Sequence, residues 1–314
     1  MGFYHFLAAV AAGTTSAATT FDHAPVNPED AEIIEMRAER YERLTVPVTI
    51  MGHGPFRFMI DTGAQATVLS KGLADQLELN ERRPAILVGM ASRQEIEVAE
   101  VPQFSLGART INIRNAPLVE RANIGGADGI VGLDSLQGQR VLLDFRKNRM
   151  LVADARDLGG NRGYEIIVKA RPRLGQLIIT DARLNGVKVQ VLIDTGAQGS
   201  VGNHALLEKL KRAKPIGETV MTDVNGVTLA GIARQGRSLT FGRLELSNLP
   251  IVFADSPSFH ALNLHDKPAL VLGVREMRLF SRVAIDFEER KILFDLPAND
   301  NSTYDPIRRF DRRL

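Results

Sequence analysis

The chain has 314 residues, 44% of them apolar, which is enough for two cores of ordinary size. Its 39 basic and 37 acidic side chains are interspersed and leave a net charge of only +2, so there is no electrostatic case for nucleic acid. Cysteine is absent, which excludes disulfides, thiol catalysis and thiolate metal sites without naming a compartment. From the N-terminus, Phe3 to Ala12 is a short apolar run followed by the small residues Gly13 to Ala18. That pattern matches the core and cleavage region of a signal peptide and is too short to span a membrane, although no Lys or Arg precedes Arg37 to form a basic n-region. Residues 1–40 are read as this signal-like segment and a flexible lead-in rich in Ala, Pro, Asp and Glu.

The rest of the chain has little helical periodicity and reads as short strands with Gly, Asn and Pro turns. Leu44 to Ile50 is predicted as a strand, Gly52 to Pro55 as a turn, and Phe56 to Ile60 as a returning strand that ends at Asp61. A short helix is expected at Gly72 to Leu79, and a turn at Val88 to Ser92 precedes the alternating Ile96 to Ala99. Gly129-Ile130-Val131-Gly132 is an apolar run stopped by glycine. Val141 to Phe145 and Arg149 to Val152 form a hairpin around a charged turn. Asp154 to Leu174, rich in glycine, is the natural connection between halves, with Glu165 to Ala170 a candidate bridging strand.

The same order of parts then recurs. Gln176 to Leu184 pairs with Val187 to Ile193 across Asn185-Gly186, the strongest short hairpin signal. A helix is expected at His204 to Lys211, and the turn Val224 to Val227 joins Thr219 to Met221 with Thr228 to Ala230. Ala269 to Gly273 matches Gly129 to Gly132, and Val283 to Phe287 with Lys291 to Phe294 matches the earlier hairpin. Most telling, Ile60-Asp61-Thr62-Gly63-Ala64-Gln65 returns unchanged as Ile193-Asp194-Thr195-Gly196-Ala197-Gln198. A carboxylate between an apolar strand end and a tight turn is costly unless hydrogen-bonded or paired. Two such loops face to face would make a carboxylate dyad. The expected organisation is a first lobe at 41–155, a linker at 156–174, a second lobe at 175–298 and a basic tail at 299–314.

On these residues, across about 44 to 297, the chain resembles the retropepsin-like aspartic proteases, in the bacterial form with two Asp-Thr-Gly-Ala units in one chain. The resemblance implies an all-β fold of two β-barrel lobes related by a pseudo-two-fold axis. It implies that Asp61 and Asp194 are catalytic, that Thr62 and Thr195 hydrogen-bond across the axis, and that Gly63, Ala64, Gly196 and Ala197 support the dyad. Ile130-Val131-Gly132 and Val271-Leu272-Gly273 would cradle the loops. Two features depart from the family pattern. Ala64 and Ala197 stand where many two-lobed relatives have serine, so fewer donors would stabilise the anion and the dyad should ionise at higher pH. Gln65 and Gln198 replace an acidic residue, and Leu133-Asp134 differs from Val274-Arg275 after the apolar-Gly run, which puts the supporting network in question.

The implied substrate is an extended peptide or protein held as an added strand, under two flaps at 88–92 and 224–227 if these turns are more than surface hairpins. The reaction would be endopeptidase cleavage by a water that the two aspartates activate. The alternative is a non-catalytic peptide-binding protein that keeps the cleft. No cofactor, metal or nucleic acid is expected, and the pseudo-dimer would form within a monomer unless lobes pair between chains. With the N-terminal run as a signal the mature chain would be periplasmic and without a membrane span; otherwise it would be cytoplasmic. The six histidines (His5, His23, His53, His204, His260 and His265) are scattered, without the i,i+4 helical spacing of a metalloprotease pair. Ser200 with His204 lacks a nucleophile-elbow setting, and Asp144 and Asp286 are read as structural.

Overall fold

The computed structural model describes residues 44–107, 109–210 and 213–297, with the short backbone stretches 3–4, 9–10, 33–35, 37–38 and 307–309. The signal-like run is therefore described only at Phe3–Tyr4 and Ala9–Val10. The rest of that run, most of the lead-in and all of the tail except Ile307–Arg309 lie outside the described residues.

The fold is nearly all-β. Each half builds a sheet that closes on itself by the same path. In the first, strand 93–106 pairs with 109–119, which runs parallel to 68–70; then come 129–131, 53–60 and 44–50. Thr49 and Ile50 return to Ser105 and Phe104 to close the barrel. In the second, 228–241 pairs with 176–184, followed by 187–193, 269–272, 200–202 and 244–253, and the last strand returns to the first. The apolar-Gly runs are the central strands 129–131 and 269–272, buried throughout, as strands covered on both faces must be.

The hairpin turns follow backbone chemistry. Asn185 and Gly186 both take positive φ (50° and 84°), the mirror-image turn that matches strand twist. The first lobe does the same with Met51 and Gly52 (φ 50° and 78°), so Ile50 faces His53 directly. The four-residue turn expected at 52–55 is thereby corrected to two residues. A methionine in the left-handed region gives no sequence signal of its own. The expected helices are present, somewhat shorter, as Lys71–Gln76 and His204–Lys209. Ser70 and Asn203 cap them by accepting from the N–H groups of Leu73 and Leu206. Leu133–Leu136, Pro257–Ala261 and Val274–Met277 are further short helices that periodicity could not reveal, since each is barely one turn.

A third, six-stranded sheet joins the lobes. Its middle is the pair 140–144 and 282–286, equivalent strands of the two halves lying antiparallel with Leu142 opposite Ala284. The bridging strand is present as Ile166–Lys169 and pairs with 291–295 of the second half. Phe294 carries the joint inward, packing against Phe280 and Phe241 at centroid distances of 4.8 and 5.3 Å.

Asp286, read as structural, forms a fully buried ion pair with Arg140 across this joint at 2.5 Å. The guanidinium also donates to Gly160 O and to Asn161 Oδ1. A buried pair of this kind need not add net stability, but breaking it strands a charge. Replacing Asp286 by Ala is therefore expected to destabilise the chain by about 3–5 kcal/mol, read as a lower urea midpoint.

Candidate active site

The strands 53–60 and 187–193 each run into their acidic loop, and the central strand beside each fixes where it begins. Val131 O accepts from Asp61 N at 3.0 Å and Leu272 O from Asp194 N at 3.1 Å. On the far side of each loop, Leu133 N donates to Ala64 O and Val274 N to Ala197 O, both at 2.8 Å. Gly132 and Gly273 lie so close to the loop backbone that a Cβ on either would overlap it.

The two loops meet on the pseudo-two-fold axis. Thr62 N donates to Thr195 Oγ1 (3.0 Å) and Thr195 N to Thr62 Oγ1 (3.1 Å). The hydroxyls in turn donate to the opposite strands, Thr62 to Ile193 O (2.9 Å) and Thr195 to Ile60 O (2.8 Å). Four reciprocal bonds, all buried, hold one loop against the other. Asp61 and Asp194 are each 1% exposed. Within each loop one carboxylate oxygen accepts two backbone N–H groups, from Gly63 and Ala64 at 2.8 and 2.9 Å and from Gly196 and Ala197 at 2.8 and 3.1 Å. The other face of each carboxylate lies against the partner loop. A Cβ on Gly63 would collide with the Asp194 carboxylate, and one on Gly196 with that of Asp61. Only glycine permits that approach.

Burial pushes the Asp194 carboxyl well above its ordinary range. The charge of Asp61 and a hydrogen bond shared with it add to this, against the lowering by the Gly196 and Ala197 N–H groups. Burial and the neighbouring Asp61 charge thus both disfavour a charge on Asp194.

The supporting network, in question from the sequence, is kept by a change of position. In the first lobe Asp134 accepts from Thr67 N (2.9 Å) and Thr67 Oγ1 (2.6 Å), and that hydroxyl also receives Gly132 N. In the second, Arg275 stands in the place of Asp134, and the next residue, Glu276, accepts from Ser200 Oγ at 2.8 Å and from Arg275 Nε at 2.8 Å. Burial raises the carboxyls of both Asp134 and Glu276. Gln176, which carries no motif, donates to Gly63 O at 2.6 Å, and Gln65 reaches Leu174 O at 3.2 Å. Ser200 is thus a buried support, and His204 is exposed on its helix. His260 stacks on His265 (4.5 Å between centroids) and pairs with Asp255 at 3.2 Å. Both flap candidates are hairpin tips, joining 82–88 to 93–106 and 214–222 to 228–241, and the tips touch each other.

Two family models match the chain in tandem. Residues 46–138 match the one described as "gag-polyprotein putative aspartyl protease", and residues 180–275 match "Aspartyl protease". The chain belongs to the retropepsin-like aspartyl proteases. Each match covers one barrel and its acidic loop, so the two lobes are two protease units in one chain. Among the described residues of this aspartyl protease, no helix is long and apolar enough to cross a membrane.

Because Asp194 holds its proton more tightly when folded, folding takes up a proton. Its contribution to stability is intact below the ordinary value of 3.8 and declines as pH rises toward the raised folded value. Asp194→Asn, which keeps the oxygen facing Gly196 and Ala197, removes this penalty. The expected outcome is a higher Tm than the parent at neutral pH, by roughly 2–4 °C per kcal/mol relieved, with a flatter Tm against pH.

Proposed function

We propose that this chain is an aspartic endopeptidase in which Asp61 and Asp194, one from each lobe, form a single catalytic dyad. The observation that carries the reading is the pair of reciprocally bonded Asp-Thr-Gly loops, each glycine packed on the opposite carboxylate. A dyad holding one proton supplies both roles needed to cleave an amide without a covalent intermediate. The ionised carboxylate takes a proton from water as it attacks the carbonyl carbon, and the protonated one donates to the carbonyl oxygen. The resulting tetrahedral intermediate collapses when a proton reaches the amine leaving group. Thr62, Thr195 and the backbone N–H groups of Gly63, Ala64, Gly196 and Ala197 hold the carboxylates in place, and none of them exchanges a proton.

The substrate is a peptide in extended conformation, held by backbone hydrogen bonds between the loops and the flap hairpins, with alternate side chains directed to either side. Both carboxylates belong to one chain, so a monomer is the expected active unit, and a gel-filtration mass for one copy supports it. The Phe3 to Ala12 run favours an exported, periplasmic enzyme.

Asp61→Asn and Asp194→Asn are each expected to lower kcat/KM on an unstructured protein substrate by about 10³-fold or more, with a pepstatin-type inhibitor blocking the parent. Hydrolysis requires one shared proton, so activity falls at low pH as both carboxyls protonate and at high pH as the second ionises. With burial and the absent loop hydroxyls raising the pair, the maximum should lie above the strongly acidic range. Binding of peptide without cleavage by the parent would instead mark a binding protein.

A further inference from the structure

The tips of the two flap hairpins are equivalent turns with unlike residues at the same place. Gly89 follows the last residue of strand 82–88 and donates its N–H to Ser92 O at 2.8 Å. Asp223 follows the last residue of strand 214–222 and donates to Val227 O at 2.9 Å. The Asp223 side chain is fully buried. One of its oxygens accepts from Asn225 N (2.9 Å) and Val227 N (3.1 Å) of its own turn. The other crosses to the opposite tip, accepting from Ala91 N at 3.1 Å and from Ser92 Oγ at 2.7 Å. Asn225 Nδ2 also donates to Ser92 Oγ at 2.8 Å. The space that carboxylate needs exists only because its counterpart is Gly89, where a Cβ would overlap it.

Beyond this contact each tip is seated in the other lobe. Met90 is 1% exposed among Phe259, Leu262, Leu264 and Ala254 of the second lobe, with Ser258 Oγ donating to Gly89 O at 2.9 Å. Val224 is buried among Leu87, Val119, Ile124 and Ala127 of the first.

We infer that Asp223 is a positioning residue that latches the two flap tips together, and so sets the rate at which peptide enters and leaves the cleft. The inference rests on the protease reading for what passes beneath the tips. Passage of a chain requires Ala91 and Ser92 to leave a buried carboxylate, and Met90 and Val224 to leave apolar seats. A latch closed both before and after binding slows association and dissociation alike.

The experiment compares the full-length protein with Asp223→Ala and Asp223→Asn. In the Ala variant the Ala91 amide should exchange about tenfold faster or more, and peroxide oxidation of Met90, followed by mass spectrometry, should accelerate in parallel. The Asn variant, which retains an acceptor oxygen, should fall between. Association and dissociation rates of a pepstatin-type inhibitor should rise together, leaving Kd within about twofold of the parent. Unchanged exchange at Ala91 and unchanged oxidation of Met90 in Asp223→Ala would overturn the latch, as would faster exchange spread evenly over the chain in both variants. If the parent neither binds inhibitor nor cleaves substrate, the protease reading fails, while exchange and oxidation still decide whether Asp223 ties the tips.

Discussion

Two buried carboxyl groups repel each other and resist desolvation, and this architecture brings them together nonetheless. The counterweight is the cross-bonding of Thr62 and Thr195, in which each threonine satisfies the other's N–H and then reaches the opposite strand. Net contributions of about 1 kcal/mol per hydrogen bond would not hold such a pair alone. The joint is set instead by the large framework behind it. Closed barrels present the loops, the six-stranded sheet locks equivalent strands of the two lobes antiparallel, and Arg140 with Asp286 fixes that joint in its interior. The raised Asp194 carboxyl follows from this geometry, because burial beside Asp61 disfavours a charge there.

Much of this was legible in the sequence because repetition exposed it. Two identical hexapeptides, each preceded by apolar strands and followed by an apolar-Gly run, implied twin loops, the family resemblance they carry implied twin barrels, and Asn185-Gly186 named its own turn. The two hairpins ending at 88–92 and 224–227 were legible as turns between strands. Their contact was not, because it depends on side chains from two halves far apart in sequence. Gln176 reaching Gly63 was invisible for the same reason. Met51-Gly52 was missed because methionine is an uncommon residue at positive φ. The Arg140 pair could not be read because a charge opposite a charge across a sheet is apparent only once register is known.

The network beneath the loops shows how far pattern reading goes. Position by position, Asp134 aligns with Arg275, a difference that put the supporting network in question. In space, Glu276 turns toward Ser200 and restores a carboxylate under the second loop, while Asp134 serves Thr67 under the first. The physical requirement, an acceptor for a buried hydroxyl, was conserved between the lobes, although the residue that meets it was not.

That substitution has a further consequence. A site assembled from two copies of one short chain is the same on both sides of its two-fold axis, since every mutation appears twice. Here each carboxylate rests on a floor of separate composition, one built from Thr67, Asp134 and Ser135, the other from Ser200, Arg275 and Glu276. The two sides are free to diverge, so the surroundings of Asp61 and of Asp194 are set separately by the gene.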